Sequence, residues 1–104
     1  MIANLSTLHL RWYIDPGHGW LAVPVRALLD SGISGQVSTC SYIDGAMALV
    51  YLEEDVDAPL FLAAIGVSNE LAATFPVEHL ENEGQCFIRR ELSSYDPALT
   101  ARKG

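Results

Sequence analysis

Two stretches of this 104-residue chain gather side chains able to do chemistry. The first is Asp15-Pro16-Gly17-His18-Gly19, a carboxylate and an imidazole inside one tight turn. His18 could act as a general base oriented by Asp15, and glycine-rich turns are common at active sites. No serine or cysteine nucleophile is assigned to the pair by spacing, Cys40 being a distant partner at best. A surface histidine in a structural turn is the plainer reading. The second stretch is Glu53-Glu54-Asp55-Val56-Asp57, four carboxylates in five residues. Such a run suits charge-assisted hydrogen bonds to lysine or arginine of a partner. It lacks the glycine and ligand spacing of a calcium-binding EF-hand loop.

Other chemistries find no pattern. His9, His18, His79 and the two cysteines, Cys40 and Cys86, make no C-x-x-C or H-x3-H pair, so no metal site is expected. There is no phosphate-binding G-x-x-x-x-G-K-[ST] loop and no G-x-G-x-x-G turn, so no cofactor is expected. Both cysteines fall in stretches read as strands, where a free thiol behaves as a small hydrophobe. Two cysteines in 104 residues do not make a disulfide framework.

Net charge is −7, and its placement is more informative than its sum. Residues 27–88 contain no lysine or arginine but ten acids, among them Glu53, Glu54, Asp55, Asp57, Glu78, Glu81 and Glu83. The six cationic side chains, Arg11, Arg26, Arg89, Arg90, Arg102 and Lys103, sit toward the ends. This field opposes direct contact with nucleic acid or an anionic membrane and favours a basic partner. The alternative is that the acids only keep a half-hydrophobic protein in solution.

The elements that must position these groups are legible from period and punctuation. Leu8, Leu10, Trp12 and Ile14 alternate with His9, Arg11 and Tyr13, a strand pattern. Trp20–Val23 resumes an extended run after the Asp15–Gly19 break, so Leu8–Val23 reads as a hairpin. Pro24 can open a helix carrying Val25, Leu28 and Leu29, stopped at Gly32. Gln36–Ile43 and Ala46–Leu52 form a second expected hairpin about Asp44-Gly45, the dipeptide of a type I′ turn. Asp57 is a good helix N-cap with Pro59 behind it, and Leu60, Phe61, Ala64 and Ile65 give the apolar face of a helix that ends at Gly66 or frays onward toward Ala73. Thr74–Leu80 and Gln85–Leu92 read as extended, and Ser93 onward as a loose tail.

The expected fold is α+β: one domain, an antiparallel sheet of hairpins with two short helices packed on one face. No apolar run reaches the ~18–20 residues that span a bilayer, and the N-terminus lacks a signal-peptide pattern, so a cytoplasmic protein is expected.

The segments D-P-G-H-G-W-L-A-V and V-Y-L-E-E-D-V-D, with S-Y-I-D-G between them, resemble small uncharacterised proteins carried by phages and mobile elements of bacteria. The resemblance covers roughly residues 10–62 and implies a bacterial host cell. In size and charge the chain is similar to anti-CRISPR and anti-restriction inhibitors, many of which occlude nucleic-acid-binding surfaces. It departs from the strongest DNA mimics in being less acidic and in having a basic tail. Two readings follow. One is a non-enzymatic acidic protein, monomer or homodimer, that presents Glu53–Asp57 and its neighbours to a basic surface of a nucleic-acid-binding complex. The other is a small enzyme or ligand-binding domain centred on Asp15 and His18.

Overall fold

Alternating apolar side chains on either side of the Asp15–Gly19 break form the first hairpin. The computed structural model describes residues 9–80, 88 and 92–96. Strand β1 (Arg11–Ile14) pairs antiparallel with β2 (Gly19–Pro24), Ile14 lying opposite Gly19. Pro24 leads straight into α1 (Val25–Ser31), where a missing backbone amide costs nothing. Gly32 closes α1 in the left-handed region at φ 85°, the stop expected of it. A single 3-10 turn (Ser34–Gln36) precedes β3 (Tyr42–Asp44) and β4 (Leu49–Glu53). Then come α2 (Asp57–Ala64), α3 (Asn69–Ala72), β5 (Val77–His79) and β6 (Ser93–Ser94).

Among the described residues six strands make one sheet in the order β5-β1-β2-β4-β3-β6. The α+β class holds, but the sheet is mixed rather than purely antiparallel, because β5 runs parallel to β1. The cause is the connection: α2 and α3 carry the chain from β4 across the sheet to the far side of β1. A crossover of that kind returns a strand in the same direction as the one it left. Three α-helices, not two, are present among the described residues. Gly66, at φ 77°, ends α2, and Ser68 caps α3 by accepting from the Leu71 amide.

The period-2 alternation sorts side chains into two cores. Leu10, Leu21, Val23, Val50 and Leu52 meet Ala27 and Leu28 of α1, Ala58, Phe61 and Leu62 of α2 and Ala72 of α3. Trp20, Ala22 and Tyr51 point the other way and meet Ile88, with Leu80 and Leu92 against them. The sheet is therefore covered on both faces, where a single covered face was expected. Trp20 is 1% exposed for this reason. Tyr13 packs edge-on to Tyr51 with ring centres 5.3 Å apart, and burial, with Tyr13 and Asp44 beside it, pushes the Tyr51 hydroxyl up to about 12.

Several expectations near the ends and turns need correction. Of the strand expected over Gln85–Leu92, most lies outside the described residues, and Ile88 within it is helical. The tail expected to be loose from Ser93 begins by pairing with β3, and Tyr95 is buried, donating its hydroxyl to the Ser34 carbonyl at 2.8 Å. A large aromatic side chain with a hydrogen-bond partner inside ties down a segment whose lack of periodicity gave no sign of order. Cys40 is exposed, lying in the turn before β3 rather than in a strand, and Cys86 lies outside the described residues.

The central hairpin exists but with another turn. Asp44 pairs with Leu49, leaving Gly45-Ala46-Met47-Ala48 as a four-residue loop. The Asp44 carboxylate accepts from the Met47 amide at 3.2 Å. The left-handed residue in this loop is Ala48, at φ 55°, and Gly45 is not in that region. The carbonyl of Ala48 accepts from the first amide of α1, Val25, at 2.9 Å, which holds it there. Left-handed backbone costs an alanine about 1–2 kcal/mol, and the greater chain entropy of glycine offsets about 0.5–1 kcal/mol of any relief. Ala48→Gly is therefore expected to stabilise by up to about 1 kcal/mol, read as a higher urea midpoint. Gly45→Val, whose added carbon meets nothing within 4 Å, should shift stability by less than about 0.5 kcal/mol. A large loss at Gly45 would restore the type I′ turn.

Candidate functional site

The acidic run is not one surface but a corner with an inside and an outside. Asp57 is its inside: the residue is 1% exposed. One carboxylate oxygen accepts from the Ser38 amide at 3.1 Å. The other accepts from the Ser38 hydroxyl at 2.8 Å and the Ser41 hydroxyl at 2.5 Å. The Ser41 hydroxyl oxygen in turn accepts from the Glu53 amide at 2.9 Å. Asp57 thus belongs to no partner-facing surface, and it is not the N-cap either. Val56 holds the cap position, and Asp57 is the first helical residue. Three donors from the 38–41 segment draw the carboxylate inward, away from the helix amides.

Glu53 occupies the edge of the corner. Its carboxylate accepts from the amides of Asp55 and Val56, both at 2.8 Å, and so shapes the turn between β4 and α2. What remains outside is Glu54 and Asp55, both exposed. No lysine or arginine among the described residues pairs with either. Of the other acids expected at a partner surface, Glu78 is exposed on β5 and lies 4.0 Å from Arg11 on β1, a solvated pair worth about 0–1 kcal/mol. Glu81 and Glu83 lie outside the described residues.

The turn that held the other candidate chemistry adjoins this corner. The Glu54 amide donates to the Gly19 carbonyl at 3.0 Å, extending the β2–β4 ladder by one rung. The Glu54 carboxylate lies over Gly19, so closely that a Cβ there would collide with it. A side chain at position 19 would push this flexible carboxylate aside. Partial burial, then the neighbouring charges of Asp55 and Glu53, raise the Glu54 carboxyl above the usual carboxylate range, while His18 pulls it back. Asp15 is buried, and one of its oxygens accepts from the amides of Gly17 at 2.9 Å and His18 at 2.6 Å. That is an Asx-type turn, a structural use of the carboxylate. His18 Nδ1 stands 3.7 Å from the same oxygen, beyond hydrogen-bond reach, and its ring stacks on Trp20 at 5.7 Å. No cluster of three or more potential metal ligands occurs among the described residues. No helix among them is long and apolar enough to cross a membrane.

Glu54 also borders a groove that sequence reasoning missed. It has a volume of about 330 Å³ and is lined by Trp12 and Ile14 of β1, Pro59 and Leu62 of α2, Asn69, Ala72 and Ala73 around α3, and Val77 of β5. The Trp12 indole nitrogen is spent inside the fold, donating to the Ala72 carbonyl at 2.9 Å. The β1 pattern marked Trp12 and Ile14 as apolar, but only the crossover places α3 and β5 beside them. Ser38 and Ser41, the partners of Asp57, carried no signal beyond being small and polar.

Two outcomes test this division of labour. Asp57→Ala should destabilise by about 2–4 kcal/mol, because it strands donors that a carboxylate satisfied, whereas Asp55→Ala should be nearly silent. Guanidinium unfolding of both variants checks it. The raised Glu54 carboxyl means that the folded state holds its proton to higher pH than the unfolded chain does. Stability associated with Glu54 is therefore fullest at low pH and falls as pH rises through the carboxylate range toward the raised folded value. Glu54→Gln should match the parent at low pH and become the more stable of the two above that window. Urea titrations across the range read the gap, and the opposite sign would refute the burial argument.

Compared with protein-family models, with curated proteins and with solved structures, the chain finds no match in any of the three.

Proposed function

We propose that the chain is a non-enzymatic acidic binding protein that occludes a basic, nucleic-acid-binding surface of a bacterial defence complex, in the manner of anti-CRISPR or anti-restriction inhibitors. The observation that carries this reading is the pair Glu54 and Asp55, exposed without a lysine or arginine partner among the described residues on a corner fixed from within. Glu53 and Asp57 hold that corner through five hydrogen bonds, so little ordering remains to oppose binding. The surrounding 62 residues, 27–88, contain no lysine or arginine to neutralise it. A preorganised negative surface steers a positive partner and fixes its orientation. A reading centred on Asp15 and His18 has less support, since Asp15 is already engaged by two backbone amides.

The test uses bacteria carrying defined CRISPR or restriction systems and challenged with a targeted phage. The full chain should restore plaque formation in at least one strain. The double reversal Glu54→Lys, Asp55→Lys should abolish that rescue while circular dichroism stays unchanged, because both residues are exposed. Glu53→Gln serves as the control for turn geometry. Full rescue by a folded double reversal would remove the corner from the interface.

A further inference from the structure

We infer that the groove between β1, α2, α3 and β5 receives an arginine side chain of the basic partner, with its guanidinium on the Glu54 carboxylate. This rests on the reading of the chain as an acidic binding protein and specifies what its corner grips. The groove, at about 330 Å³, stands at the lower end of the roughly 300–1,000 Å³ typical of ligand pockets, a size suited to one side chain. Its walls are mainly apolar, with Trp12, Leu62, Ala72 and Val77 inside and Glu54 as its one ionisable lining residue. Such a slot matches a long alkyl stem that ends in a cation, since these stems bury along apolar surface and keep the head group polar.

Arginine fits better than lysine on two counts. A planar guanidinium stacks on aromatic rings and pairs with a carboxylate through two parallel hydrogen bonds. Trp12 supplies the ring, its nitrogen already committed to Ala72, and Glu54 supplies the carboxylate. Glu54 has no lysine or arginine of this chain to satisfy it among the described residues. Arg11, on the strand that lines the groove, is turned to Glu78 instead.

Three small probes and a peptide test the fit on the full 15N-labelled chain. Butylguanidinium, and a short peptide with one central arginine, should shift the Trp12 indole resonance and the amides of Ala73 and Val77. N-butylurea, neutral but equal in shape, should not. Glu54→Gln should weaken butylguanidinium by roughly tenfold, the loss expected of a charge-assisted pair. Equal binding of N-butylurea, or an unchanged affinity in Glu54→Gln, would overturn the proposal; butylammonium binding as tightly as butylguanidinium would overturn the choice of arginine.

Ala73→Phe, an exposed position on the groove wall, fills the slot while leaving Glu54 and Asp55 in place. It should lose both butylguanidinium binding and phage rescue. Rescue that survives Ala73→Phe but not the double reversal would overturn the groove and leave the acidic surface standing. Butylguanidinium binding by a chain that rescues no strain would overturn a partner's arginine as occupant, in favour of a free alkylguanidinium.

Discussion

A buried carboxylate with three donors around it is the constraint on which this structure turns. Asp57 joins the 38–41 segment to the start of α2, and through Ser41 it reaches the last rung of β4. Removing one partner from such a network leaves others unsatisfied in a low-dielectric interior, which costs more than the bond itself. The consequence reaches the surface. Because the corner is pinned from below by Asp57 and at its edge by Glu53, the side chains of Glu54 and Asp55 leave the backbone in a defined direction. Four adjacent acids that look interchangeable in sequence thus have three different jobs.

The sequence was most legible where a local rule was strong. Alternation in Leu8–Ile14 and Trp20–Val23 found the first hairpin, and Gly32 marked a helix end where glycine is most comfortable, while Gly66 was one of two ends open to the next helix. It misled where tertiary partners outvoted local preference. Asp57 prefers an N-cap in isolation, but two serines that follow α1 claim its oxygens first. Asp44-Gly45 prefers a type I′ turn, but the tie from Val25 to Ala48 lengthens the loop and moves the left-handed position to Ala48. Cys40 has a core composition around it in sequence and a solvent-exposed turn around it in space.

Thr74–Leu80 read as extended and does hold β5, but the parallel pairing of that strand and the second covered face were not legible, for a different reason. Both depend on where the chain goes after α2, and no pattern in residues 69–80 encodes which edge of the sheet they will join. A strand of three residues, all exposed, carries almost no hydrophobic signature. The candidate site inherits the same limit: its acids were visible as a run, while the groove beside them is a product of topology.

That topology has a kinetic side. The two central hairpins, β1–β2 and β3–β4, close over short loops, but the contacts that finish the sheet at either edge are remote. Trp12 reaches Ala72 across 60 positions and Tyr95 reaches Ser34 across 61. Loop-closure entropy places such contacts late, after local pairs have formed. The groove, walled by β1 on one side and α3 and β5 on the other, exists only once the first of these closures is complete. Whatever fills it therefore bridges both sides of that closure and latches that edge of the sheet shut.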